Sequence, residues 1–249
     1  MIIDAHIKLG KCFTGKDHRA EEYISEMDRN GIDKALVCPN KPLSYQVEEG
    51  NDYVESLLCQ YGERFIGAVR IDPWKRENAI LELEKRFRNK QYKAIYLNPW
   101  EENFQCNRDV VLPIIDYADK HRLPVVIEAG YIWVSHISQI GDLARKYPGV
   151  KFMATNAGQL DLGGFTLSNV RFLLGKYHNI YLGTAAAVGA EWLAELIQKT
   201  AKGRVLFETG YPFFETYLEK YRIDKAYIEE SDKKEVFDTN ISEFLSLER

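Results

Sequence analysis

The sequence has no run of Lys and Arg, and its 33 basic residues are outnumbered by 37 acidic ones, for a net charge of −4. A chain without a basic stripe has no electrostatic footprint for a polyanion, so nucleic acid is excluded as a partner. Long apolar runs are missing too. Nothing approaches the roughly 20 residues that span a bilayer, which excludes a helical membrane protein. The opening Met1-Ile2-Ile3-Asp4 lacks the basic region, apolar stretch and small-residue cleavage site of a secretion signal, and the expected location is cytoplasmic. Cysteine is scarce. Cys12, Cys38, Cys59 and Cys106 stand far apart with no CxxC pair, which argues against a zinc knuckle and a disulfide framework. No linker or low-complexity tract divides the chain, and no Gly-rich phosphate loop follows the first apolar run.

What is present is a regular alternation. Eight short apolar runs of strand character occur at Ile2–Ile7, Lys34–Cys38, Phe65–Ile71, Ala94–Leu97, Val125–Ile127, Val150–Thr155, Ile180–Leu182 and Val205–Phe207. Helical spacing separates them, as in Val54-Leu57-Leu58-Tyr61, Ile80-Leu83-Phe87, Val111-Ile114-Ile115-Ala118 and Leu193-Leu196-Ile197. Strands that alternate with helices pair in parallel through right-handed crossovers. Eight such units in 249 residues predict a (β/α)₈ TIM barrel filling the whole chain, 1–249, as one α/β domain. The main rival is a doubly wound open sheet. The final stretch Lys233–Leu247 reads as an extra C-terminal amphipathic helix, with Phe237, Ile241, Phe244 and Leu245 on one side, expected on the barrel exterior.

Barrels of this kind assemble their sites at the carboxyl ends of the strands, so the residues after each apolar run carry the chemistry. These are His6 and Lys8; Asn40; Arg70, Asp72 and Trp74; Asn98 and Trp100; Glu128, Tyr131 and Trp133; Asn156; Thr184; and Glu208, Tyr211 and Phe213. Lys8 and Arg70 suit capture of a small carboxylate, with Arg70 the planar fork that engages both oxygens. His6 and Glu128 suit proton exchange. Asp72, Asn98 and Asn156 supply hydrogen bonds at the mouth, and Trp74, Trp100, Tyr131, Trp133, Tyr211 and Phe213 form an aromatic lid or plug. His18 and His136 lie on the mouth side and receive no role.

A resemblance sharpens this reading. The segments Ile3-Asp4-Ala5-His6-Ile7-Lys8-Leu9-Gly10, Arg70-Ile71-Asp72-Pro73, Leu123-Pro124-Val125-Val126 with Glu128-Ala129-Gly130, Asn156-Ala157-Gly158, and Arg204 through Phe213 resemble successive motifs of the amidohydrolase-related family. So does Glu235 through Ile241 in the closing helix, and the match runs through the chain in order. The resemblance implies a metal-dependent hydrolase or decarboxylase of small, often aromatic or dicarboxylic acids, and a homo-oligomer. It also implies a metal held by an HxH pair after the first strand, a His after the fifth, sometimes a His after the sixth, and an Asp after the eighth. Of these positions the chain keeps His6 and fills the others with Lys8, Glu128, Asn156 and Gly210.

Catalytic zinc needs about three neutral or anionic ligands, and an ammonium among them repels the ion, so a divalent metal such as zinc is disfavoured and no cofactor is expected. Lys8 and Glu128 instead predict an ion pair where the metal would sit. Three functions stay open. One is a metal-independent hydrolase or lyase of a small carboxylate, with His6, Lys8 and Glu128 as its catalytic groups. Another is a non-catalytic barrel kept for ligand binding or assembly. The third is an unorthodox metal site of His6, Glu128 and Glu208.

Overall fold

The computed structural model describes residues 1–159 and 165–248. Its strands are β1 (Ile3–Lys11), β2 (Asp17–His18), β3 (Lys34–Pro39), β4 (Phe65–Arg70), β5 (Tyr92–Leu97), β6 (Val125–Ile127), β7 (Phe152–Ala154), β8 (Ile180–Gly183) and β9 (Val205–Leu206). All but β2 pair in parallel in chain order, while β2 folds back antiparallel on β1. Backbone bonds from Ala5 N to Phe207 O (2.8 Å), Gly210 N to His6 O (3.2 Å) and Lys8 N to Tyr211 O (2.8 Å) close the seam between β1 and the segment after β9. The sheet is therefore a barrel, and the open-sheet alternative is excluded.

The helices that follow the strands are α1 (Ala20–Asn30), α2 (Val47–Tyr61), α3 (Glu77–Arg86), α4 (Leu112–His121), α5 (Ile137–Lys146), α6 (Phe165–Lys176), α7 (Ala190–Glu195) and α8 (Thr216–Asp224). Side chains alternate across each strand and so sort into two cores. Val37, Val69, Ile95, Leu97, Val125 and Ile127 meet the helices, whereas Leu36, Ala68, Ala94, Tyr96, Val126 and Met153 fill the barrel. Strands covered on both faces must be apolar almost throughout, which is why they read as continuous runs in the sequence.

The terminal helical segment, α9 (Glu230–Lys234), a wide turn at Glu235–Thr239 and α10 (Asn240–Phe244), corrects one expectation. Val236 and Phe237 pack in the outer layer, but Ile241, Phe244 and Leu245 join the interior core beside Ile3 and Leu36. The segment thus plugs the barrel's amino-terminal end instead of lying on its exterior. Asn240 Nδ2 donates to Val205 O at 2.8 Å and fixes the plug. Among the described residues no helix is long and apolar enough to cross a membrane.

Candidate active site

On a regular strand Ala5 and His6 would face opposite sides. The pairing of β1 with β3 slips between Asp4 and Ile7, and this bulge changes the parity. Ile3 and Ala5 point into the barrel before it, Ile7 and Leu9 point out to the helices after it, and His6 and Lys8 are left facing the barrel axis. Before the bulge, ordinary alternation between Ile3 and Ala5 turns Asp4 toward α1, where Oδ2 accepts from Tyr23 Oη at 2.5 Å and from the Thr209 hydroxyl. Asp4 Oδ1 accepts from the amides of His6 (3.2 Å) and Thr209 (3.0 Å).

His6 and Lys8 enter a buried chain of charge drawn from three strand ends. His6 Nδ1 is bonded to Glu208 Oε1 at 2.8 Å, and Lys8 Nζ lies 3.2 Å from Glu128 Oε2, the pairing expected from the sequence. The same Glu128 oxygen accepts from Tyr96 Oη at 2.6 Å, while Oε1 accepts from Asn156 Nδ2 at 3.0 Å. Glu208 Oε2 takes the Asn156 amide at 2.9 Å. His6 Nε2 lies 3.4 Å from Glu128 Oε2 without making a hydrogen bond, so it is a buried nitrogen with no such partner.

The environments separate the two carboxylates. Burial would raise Glu128, but Lys8, then His6 and the Tyr96 and Asn156 hydrogen bonds, bring it down to about 2. Burial dominates at Glu208 and raises it above the ordinary carboxylate range despite His6. Burial opposes charge on His6, yet the field of Glu128 leads the attractions that lift the ring well above its ordinary value. At neutral pH an imidazolium at His6 and an ionised Glu128 therefore lie side by side. The Cys38 thiol, beside His6, is pushed up by burial and stays protonated.

Above this chain lies a cavity of about 520 Å³. Lys8, Glu128 and Asn156 line it, with Trp100, Glu101 and Tyr131 after the fourth and fifth barrel strands and Pro212, Phe213 and Phe214 after the eighth. Trp100 and Tyr131 stack with ring centroids 4.9 Å apart and planes 6° from parallel. Lys8 Nζ sits 4.6 Å from the Phe213 ring centroid. Cys12, Phe13, Thr14, Lys16 and His18 of the β1–β2 hairpin complete the lining.

Of the residues singled out from sequence, Lys8, Glu128, Trp100, Tyr131 and Asn156 meet at the cavity, with His6 directly behind Glu128. Four do not. Arg70 is fully buried: its guanidinium donates to Pro39 O (3.0 Å), to Glu102 (2.7 Å) and to Glu101, so the expected carboxylate fork is already occupied by protein acids. Asp72 caps its own turn by accepting from Trp74 N at 3.0 Å. Asn98 accepts from Glu101 N and donates to Tyr96 Oη, which makes it a support for Tyr96. The Tyr211 ring packs 4.6 Å from that of Tyr23, against α1. The aromatic lid is correspondingly smaller: Trp74 donates to Glu102 O at 3.0 Å, Trp133 is 76% exposed, and neither lines the cavity.

Tyr96 and Cys38 escaped the sequence reading because they sit inside apolar runs. Their one signal is the two-residue periodicity that places them on the interior face with Asn98 and Asn40. Glu208 is the carboxylate that orients His6, not a partner of Glu128 around an ion.

The donor set does not fit the metal that the family resemblance implies. Lys8 places its ammonium on the Glu128 oxygen that would coordinate. Glu128 and Glu208 approach different ring nitrogens of His6, so no single point lies at bonding distance, about 2 Å, from all three residues. Among the described residues no group of three His, Cys, Asp or Glu side chains could hold a metal ion.

A closed parallel barrel, polar at the carboxyl ends of its strands and with a cavity at that end, is a (β/α)₈ barrel. The chain belongs to the amidohydrolase family, which it matches over residues 3–247. Among solved structures it is similar to 5-carboxyvanillate decarboxylase from Sphingomonas paucimobilis, with TM-score 0.79 and 14% identity over 99% of both chains. The 2,6-dihydroxybenzoate decarboxylase from Rhizobium gives 0.79 and 13% over 99% of this chain and 98% of that one. A dihydroxybenzoic acid decarboxylase from Polaromonas sp., solved with manganese and the inhibitor 2-nitroresorcinol, gives 0.78 and 15% over 100% and 97%. No curated protein matches the chain by sequence.

Proposed function

We propose that this protein is a carbon–carbon lyase that decarboxylates a small aromatic acid without a catalytic metal. One observation carries the reading: Lys8, buried among aromatic rings at the cavity floor, is paired on one side with Glu128 and has N–H groups left for a ligand. An ammonium there attracts a carboxylate at the place where the resemblance implies a metal. The similar structures named above as decarboxylases of aromatic acids support the substrate class.

The electrostatics favour lyase chemistry over hydrolysis. Hydrolysis needs a base to activate water, and a carboxylate held near 2, such as Glu128, is a weak one. Glu208 is shut behind His6. Decarboxylation needs a proton donor beside the ring carbon that bears the carboxylate. That carbon takes a proton from Lys8 Nζ, the bond to the carboxylate breaks, its electron pair returns to the ring and CO₂ leaves. Lys8 regains its proton from water. The step requires an electron-rich ring, one carrying an oxygen substituent. Glu128 holds the Lys8 nitrogen in place, and Tyr96 and Asn156 hold Glu128.

The reaction belongs in the cytosol, a setting supported by four free cysteines, three of them buried. The test is release of CO₂ from a panel of hydroxybenzoates by protein stripped with a chelator. Turnover that survives stripping and is lost in Lys8→Met is the expected result. Activity that appears only with added zinc or manganese, or near-stoichiometric metal in protein purified without chelator, overturns the metal-free reading. A second reading, a ligand-binding barrel without catalysis, draws on Gly210, which leaves no carboxylate at the eighth-strand position. Binding of these acids without turnover would select it.

A further inference from the structure

The hairpin that roofs the cavity carries a histidine whose protonation pattern its neighbours dictate. Asn40 Nδ2 lies 2.9 Å from Gly10 O and 3.0 Å from His18 Nδ1. A carbonyl can only accept, so the atom facing Gly10 O is the amide nitrogen, and the orientation of the Asn40 side chain is fixed. The second hydrogen of the same amide then points at Nδ1, which must accept it. The proton of the neutral ring is left on Nε2. Among the described residues Nε2 has no hydrogen-bond partner, and His18 lines the cavity that Lys8 floors. Burial first, then Lys16, with Lys8 acting the same way against Asp17 and Glu22, lowers the His18 pKa below its ordinary value, so the ring is neutral at pH 7.

We infer that His18 is a specificity-determining residue: its neutral Nε2–H donates to an oxygen substituent on the aromatic ring whose carboxylate Lys8 holds. The inference rests on the aromatic-acid reading above and goes beyond it in naming the feature that is recognised and the residue that recognises it. Charge decides the division of labour. An imidazolium at the wall would compete with Lys8 for the carboxylate, whereas a neutral donor suits an uncharged hydroxyl or methoxy oxygen. The donor already lacks a protein partner, so an acid without the oxygen leaves it unpaired inside the complex, which is how a site rejects a close analogue. The oxygen it selects is also the substituent that makes the ring basic enough to accept the Lys8 proton.

The test is calorimetric titration of the whole protein with benzoate and with the hydroxy- and methoxybenzoate isomers. The best oxygenated isomer should bind wild-type protein about tenfold more tightly than benzoate. His18→Leu should abolish that advantage, so that benzoate and the oxygenated isomers bind it about equally, while His18→Gln, whose amide nitrogen reaches toward the place of Nε2, should restore most of it. Should His18→Leu fold poorly, His18→Asn replaces it, because its amide oxygen can still accept from Asn40 but it presents no donor at the depth of Nε2. Equal affinity of wild-type protein for benzoate and every oxygenated isomer overturns the role of His18 and leaves the carboxylate reading standing. So does a variant that weakens all acids alike. Failure of wild-type protein to bind any of the acids overturns both.

Discussion

Lys8 shows what one side chain can do when the rest of a site is built around its charge. It neutralises Glu128 inside the barrel, and removing one partner of a buried pair costs about 3–5 kcal/mol because the other stays desolvated. Lys8→Met should lose stability of that order at pH 7 in urea melts. The pH dependence follows from the depressed Glu128 value. Folded Glu128 titrates at about 2 and an unfolded glutamate at 4.5, so the pair's contribution is fully present above 4.5 and fades as pH falls toward 2. The gap between wild type and variant should therefore narrow when melts are repeated at pH 3, and a constant gap would show that Glu128 is not the partner that matters. The pairing was legible in the sequence because an ammonium and a carboxylate stood at two strand ends that a barrel brings together. Arg70 was misread for the complementary reason. The acids that consume it, Glu101 and Glu102, lie in a loop beyond β5, and nothing in the sequence says that this loop folds back over β4.

At the scale of the element, the strands control the site through the small residues beside it. Gly183 ends β8, and a Cβ there would lie 2.0 Å from Glu208 Oε2 and 2.8 Å from the Met153 methyl. Gly183→Ala must push the Glu208 carboxylate away from His6 and the Asn156 amide. Overpacking of this kind costs about 1–3 kcal/mol, seen as a lower melting temperature. It also has a specific signature. Loss of Glu208 removes one of the interactions that raise His6, so the imidazole should titrate at lower pH than in wild type when followed by NMR. An unchanged His6 titration would mean that Glu208 does not orient the ring. The strand assignments were largely readable, with β6 recovered at its observed bounds, since buried parallel strands are unbroken apolar runs. The extension of β1 to Lys11 and its two-residue partner β2 were not, because Lys8, Gly10 and Lys11 interrupt the hydrophobic pattern and β2 is too short to have one. That gap in the reading is where most of the cavity roof lies.

The whole molecule is closed at a single seam, where the first strand meets the last, and Asp4 joins them. It accepts hydrogen bonds from Tyr23 on α1 and from the amide and hydroxyl of Thr209 beyond β9. Asp4→Ala leaves those donors unsatisfied in a buried setting, at about 1–3 kcal/mol each, and should lower global stability by several kcal/mol. In hydrogen exchange, the amides of Ala5, Lys8 and Gly210 should lose protection before those of β5 and β6, on the far side of the barrel. Uniform loss of protection would show that the seam has no stability of its own. Neither the seam nor the plug at the opposite end could be read from periodicity, because a helix's apolar stripe does not say whether it faces the outside of a barrel or its open end.

The β1–β2 hairpin has an implication for how such a scaffold changes over generations. Phe13, Thr14, Lys16 and His18 lie within one short stretch of chain, whereas His6, Tyr96, Glu128 and Glu208 come from four distant strands. A single exchange of the hairpin can re-tune which molecule is admitted, while re-tuning the buried charge requires concerted substitutions far apart in the gene. The cavity lining in this architecture is free to drift quickly over a buried charge chain that drifts slowly, and transplanting the hairpin between relatives should carry ligand preference with it.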